Sequence, residues 1–225
     1  MDNLSITKNG NTLDESLYTI DLDKKILTTT QNNVYIYCGN ISGWTFKTGS
    51  SCVFKTTGWC TFKTGPFCTF NTCNYCTFDT DSSCNFNTGS DCTFNTGDDC
   101  IFRTLGKCSF VTTNTCTFST GNCCTFKTGD GCTFKSISDC IFDTGDYCSF
   151  VTFNNNTFKT GGRCIFNTEI VNTFTTGRDC TFAVWDIDVH KWKVADKNSI
   201  ILDLSNGERY VLTEEFLKIC KIQNE

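Results

Sequence analysis

The sequence predicts an all-β protein, a flattened parallel β-solenoid with sixteen residues, or two octads, in each coil. Three observations predict it. Eighteen consecutive octads run from Trp44 to Ile187 on the template CTFxTGxx, almost two thirds of the 225 residues, and Phe holds the third position of every one. Within each octad the residues alternate: Cys, Phe and Thr at positions one, three and five point one way, and Thr and a variable Lys, Asn or Asp at two and four point the other, which is the period of a strand and not of a helix. Odd and even octads differ systematically, which makes the coil a pair of octads. A period this regular describes how a backbone stacks on itself and by itself names no activity.

The odd and even sets separate at two positions. Every even octad begins with Cys, from Cys52 to Cys180, whereas the odd octads begin with Trp44, then Cys, then Asn156 and Asn172. At position six the odd octads carry Gly49, Gly65, Gly97, Gly129, Gly145, Gly161 and Gly177, and the even ones carry Leu105, Ile137, Phe153, Glu169 and Trp185. Sorting by threes gives no such split, so a triangular coil of twenty-four residues is disfavoured. Eighteen octads at two per coil make about nine coils. Gly followed by small polar residues, as in Gly89-Ser90-Asp91, is expected to supply the tight turn, since Gly reaches positive φ without steric cost.

The two strands of a coil run in opposite directions, so position three is expected to meet position three across a thin core. Burying each Phe contributes on the order of 1.5 to 3 kcal/mol, which makes the two Phe ladders the main driving force for ordering this chain. Fifteen of the nineteen cysteines fall at position one, beside the Phe, where Cys behaves as a small apolar filler facing Thr. Neighbours in a ladder stand about 4.8 Å apart, a spacing that permits disulfides. The even ladder nevertheless holds nine Cys, an odd number, and the opening MDNLSITKNG carries no basic and apolar leader, so reduced thiols in an intracellular setting are expected.

The octads divide the chain into an N-terminal capping segment (1–43), the solenoid (44–187) and a C-terminal cap (188–225). In the first, Asn9-Gly10 stands between short apolar runs, Tyr18, Ile20 and Leu22 alternate, and Val34-Tyr35-Ile36-Tyr37 reads as a second strand. In the last, Asn206-Gly207 between strand-like runs is a hairpin signal, and Thr213 is placed to cap a short helix, EEFLKICKI. Atypical ends are expected on physical grounds, because an open solenoid exposes unpaired strand edges.

Chemistry-bearing constellations are few. With one His, one Pro, no phosphate-binding glycine loop and no acid pair outside the repeat grid, the sequence predicts neither enzyme nor cofactor. Cys73 and Cys76 form a CxxC, but Cys76 is a ladder residue and no further ligands lie near in the repeat, so no metal is expected. A net charge of −5 and Lys47, Lys55 and Lys63 interrupted farther on by Asp79 and Asp143 argue against nucleic acid, and no membrane association is expected. What remains is a structural or interaction rod that engages a protein partner, or a second copy of itself, through its ends or one face. Leu105, Ile137, Phe153 and Trp185 share one corner and are a candidate stripe for an oligomer or for docking of the tail. Trp59 and Tyr75, sixteen apart, are expected to stack and offer a contact for a partner or a glycan. The alternative is a ligand-binding solenoid, for glycan or for ice, the latter through the outward row Thr45, Thr61, Thr77, Thr93, Thr125, Thr157 and Thr173, which charged neighbours interrupt.

Runs such as CTFNTGDDCIF, CTFKTGDGCTF and SDCTFNTG resemble the Cys-Phe octapeptide-repeat proteins predicted in genomes of giant DNA viruses. The resemblance covers residues 44–187. It implies a viral product made in host cytoplasm, with a place in the virion, and carries no activity over to this chain.

Overall fold

The computed structural model describes residues 4–39, 42–168, 172–177, 180–186, 191–195, 201–204, 208–211 and 220–222, with side chains through Phe182. These residues form strands, turns and one 3-10 turn, Glu15–Leu17, capped by the Asp14 carboxylate. The chain divides into two compact units, residues 1–117 and 118–225, and both are parallel solenoids with a repeat of sixteen.

In unit one, the even strands Val53–Thr56, Thr69–Asn71, Asn85–Asn87 and Ile101–Arg103 follow one another in one sheet. The odd strands Thr45–Thr48, Thr61–Thr64, Thr77–Thr80, Thr93–Asn95 and Ser109–Val111 follow in the other. Every pair is parallel and in register with its own position one coil on: Thr61 with Thr77, Phe62 with Phe78, Asn85 with Ile101. Unit two repeats the arrangement, with Thr133–Lys135, Ser149–Val151, Ile165–Thr168 and Thr181–Asp186 in one sheet and Thr125–Lys127, Ile141–Asp143, Thr157–Lys159 and Thr173–Thr175 in the other.

The Phe rings meet across the core as the alternation requires. Along one ladder they stack nearly parallel, with Phe70 and Phe86 at 4.9 Å and 4° and Phe150 and Phe166 at 4.8 Å and 3°. Across the core they meet edge to face, Phe78 against Phe86 at 5.1 Å and 76°, and Phe142 against Phe150 at 5.3 Å and 80°. The stacking distance is the strand spacing itself, so each strand contributes one ring to its own layer of the core.

Position one does more than fill space. Its N–H turns away from the strand ladder into the core, where a buried donor without an acceptor is costly. The thiol one coil on accepts it: Cys52 N lies 3.4 Å from Cys68 Sγ, and Cys124 N lies 3.4 Å from Cys140 Sγ. Asn serves the same end. Cys140 N donates to Asn156 Oδ1 at 3.0 Å and Asn156 N donates to Asn172 Oδ1 at 2.8 Å. The amides therefore bond to backbone along the axis, and a ladder changes from Cys to Asn without losing its acceptor.

The turns correct one expectation. Left-handed backbone falls on position eight, where Ser51, Trp59, Phe67, Tyr75, Asp91, Thr115 and Arg163 have φ between 55° and 63°. It does not fall on the Gly of position six. That Gly is required by a close approach: a Cβ on Gly161 would overlap the Asp146 carboxylate and lie 2.9 Å from both Asp146 N and Gly145 C. The space is occupied because position seven carries a coil-to-coil bond, Asp146 N to Asp130 Oδ1 at 2.8 Å and Gly162 N to Asp146 Oδ1 at 2.7 Å. The Gly-Asp and Gly-Ser pairs of the template are thus a stacking device.

The solenoid of unit one begins before the first octad. Ile26–Thr28 and Val34–Cys38 pair in parallel with Thr45–Thr48 and Val53–Thr56, placing Leu27 and Ile36 in the Phe register. Antiparallel strands then close both edges, Thr19–Asp21 on one sheet and Leu4–Lys8 with Asn11–Thr12 on the other, joined through Asn9 and Gly10 in left-handed backbone. In unit two, Thr181–Asp186 pairs antiparallel with Lys191–Ala195. Ile201–Leu204 and Glu208–Val211 form the hairpin expected around Asn206-Gly207, whose turn residues lie outside the described set. The expected helix EEFLKICKI is corrected at its end: Cys220–Ile222 is a strand paired with Glu208–Val211, where Cys and the β-branched Ile satisfy their backbone in a sheet. Residues 212–219 lie outside the described set.

Candidate functional site

The two groups of candidate residues stand in different places. Trp59 and Tyr75 hold position eight of successive even octads in unit one. Their rings stack at 4.4 Å and 21°, and they are 64 % and 46 % exposed. Their backbones are fixed by coil-to-coil bonds, Trp59 N to Asn74 O and Tyr75 N to Ser90 O, both at 3.0 Å. Both have left-handed φ, 63° and 60°, a conformation that costs an L-residue roughly 1 to 2 kcal/mol. One coil earlier stands Gly43, whose N donates to Trp59 O at 2.9 Å and which brings no side chain over the ring. Close to Gly43, Lys25 Nζ donates to Ser42 O at 3.4 Å.

The apolar stripe divides. Leu105 is exposed in unit one, and the side chain of Trp185 lies outside the described set. Ile137 and Phe153 are neighbours in unit two, Phe153 N donating to Ile137 O at 2.9 Å. They wall a groove of about 620 Å³ that also takes in Lys135 and Val151. Those two hold position four of the same even octads and were not among the residues expected to form the stripe.

The outward Thr row is flanked by interlocked charges. Lys63 pairs with Asp79 at 3.9 Å, Asn95 Nδ2 donates to Asp79 at 3.1 Å, and Lys159 pairs with Asp143 at 3.3 Å. Exposed pairs of this kind contribute under about 1 kcal/mol, but they raise charged side chains between the hydroxyls.

Among the described residues no three His, Cys, Asp or Glu come together to hold a metal, and no helix is long and apolar enough to cross a membrane. Of the CxxC pair, Cys76 is buried and Cys73 exposed, and the eighteen cysteines whose side chains are described form no disulfide with one another. Burial pushes the Cys38 thiol up to about 12 and the Cys60 thiol up to about 11, each raised further by the thiol beside it. A thiol whose folded value is raised holds its proton more tightly when folded. That stability is whole below the unfolded value near 9.0 and is lost as pH rises towards 11 and 12. We expect urea midpoints to fall steadily above about pH 9, each pH unit removing on the order of 1.4 kcal/mol per such thiol. A midpoint constant from pH 8 to pH 11 would contradict this.

Comparison with family models, with curated proteins and with solved structures finds no match.

Proposed function

We propose that this chain is a non-enzymatic structural or interaction scaffold whose regular coils present side chains to a protein partner. The observation that carries the reading is the exposed Trp59–Tyr75 stack. Two large rings are held out from a strained backbone, and the chain itself recovers only about 0.5 to 1.5 kcal/mol from stacking them. Rigid, exposed Trp and Tyr are the side chains that dominate binding energy at protein interfaces. The inward positions, by contrast, are committed to the core, and the polar rungs of position seven bond to the next coil. The resemblance of the octads to viral repeat proteins supports a viral product, located in the virion or in host cytoplasm.

The same stack supports a second reading, a glycan contact. A sugar ring would lie on the face of Trp59 that Gly43 leaves uncovered, with Lys25 as a donor. One variant tests both. Asn accepts left-handed backbone more readily than Trp or Tyr, so a Trp59→Asn, Tyr75→Asn chain is expected to melt within about 1 kcal/mol of the parent. Cross-linking in native lysate is expected to capture a protein with the parent and lose it with the variant. Retention of that partner by the variant would overturn the first reading. Sugar-array binding lost in the variant, with no protein captured, would establish the second. Turnover of any small molecule, abolished by a substitution at a named residue, would refute the non-enzymatic assignment.

A further inference from the structure

The groove in unit two lies between the last outward row of one sheet and the turns that follow its strands. In unit two the position-five side chains Thr120, Ser136, Thr152 and Thr168 of the even octads turn inward, leaving a furrow between the outward residues of positions four and six. Where position six is Gly or polar the furrow has a low wall. In two successive coils it is Ile137 and Phe153, both exposed, facing Lys135 and Val151 across a floor of buried Thr120, Ser136 and Thr152. The result is an elongated space of about 620 Å³ with apolar walls.

Size decides between kinds of occupant. A stable protein interface buries about 800 Å² on each partner, more than these few side chains offer, whereas small-molecule sites span roughly 300 to 1,000 Å³. Charge narrows the class. Lys135 is the one charged residue among those described as lining the groove. A cation in that setting favours an anionic group, and the ammonium on its flexible stem is able to follow the anion while the walls hold the apolar body.

We propose that this groove binds a small, elongated apolar molecule carrying one anionic group, an alkyl or aromatic carboxylate. The body of the ligand lies between Ile137, Val151 and Phe153, and its carboxylate meets Lys135 Nζ. The site is independent of the Trp59–Tyr75 stack, which belongs to the other unit.

The test is amide NMR of the full-length labelled chain titrated with sodium decanoate, with decyltrimethylammonium as the cationic counterpart. Saturable shifts centred on residues 135–137 and 151–153 are expected with decanoate and not with the cation. Phe153→Ser and Ile137→Asp change exposed side chains, so both variants are expected to fold, and each is expected to abolish the shifts. Lys135→Glu is expected to weaken decanoate by about tenfold or more and to admit the cation. The proposal is overturned by an absence of saturable shifts at millimolar decanoate, by shifts that lie elsewhere, or by equal response to both amphiphiles. It is equally overturned if Lys135→Glu leaves the preference unchanged. None of these outcomes bears on the Trp59→Asn, Tyr75→Asn experiment.

Discussion

A Phe118→Ala chain is expected to lose about 3 to 5 kcal/mol of unfolding free energy. Phe118 is 1 % exposed, stacks on Phe134 at 4.9 Å and 2°, and meets Phe126 edge-on at 5.2 Å and 76°. Removing the ring forfeits its transfer energy, about 1.5 to 3 kcal/mol, and leaves a hole that its neighbours close only by leaving their own register. They are poorly placed to do so. Each ring sits at the spacing of its strand, and a strand moves only by breaking the hydrogen bonds to the strands on either side. Urea unfolding of parent and variant measures the difference. An unchanged midpoint would mean that position three does not form the core.

Gly161→Ala is expected to cost about 2 to 4 kcal/mol, a large effect for one added methyl group. The new Cβ meets the Asp146 carboxylate and two backbone atoms at 2.9 Å. If the carboxylate swings away, Gly162 N–H loses its 2.7 Å bond; if the backbone yields, the coil bond from Gly161 N to Gly145 O at 3.1 Å is strained. Crowding alone accounts for roughly 1 to 3 kcal/mol and a stranded donor for a further 1 or so. Because φ at Gly161 is not left-handed, relief of backbone freedom in the unfolded chain favours Ala by less than about 1 kcal/mol and does not reverse the sign. A variant as stable as the parent would show that Gly at position six serves some end other than close approach.

Much of this architecture was legible because one residue type marks one place. Phe at the third position of every octad predicted the buried ladders, and the odd-even split at positions one and six predicted the register of sixteen that pairs Thr61 with Thr77. What escaped reading was chemistry that several residue types perform alike. Position eight is left-handed whether it holds Asp, Tyr or Arg, so its composition gave no sign of its backbone, whereas the conspicuous Gly suggested a role it does not have. Leu27 and Ile36 were missed as rungs because the segments linking them to the octads depart from the period, with Leu27 paired to Phe46 and Ile36 to Phe54. Cys read as filler, and its service as an acceptor became visible only where Asn156 performs the same task. At the candidate sites, the stacking of Trp59 on Tyr75 and the meeting of Ile137 with Phe153 followed from spacing alone. Lys135 and Val151 did not, since a groove depends on two rows at once.

The axial bonds of position seven and the thiol or amide acceptors of position one connect like with like, each coil handing its unmet donors to an identical place in the next. Length in such a chain is therefore quantised. Sixteen residues can be added or removed inside a unit and every donor still finds the acceptor it had, whereas a step of eight exchanges the two sheets and sets an apolar corner where a glycine corner belongs. The protein has a natural unit of growth, and it is twice the unit that its sequence displays.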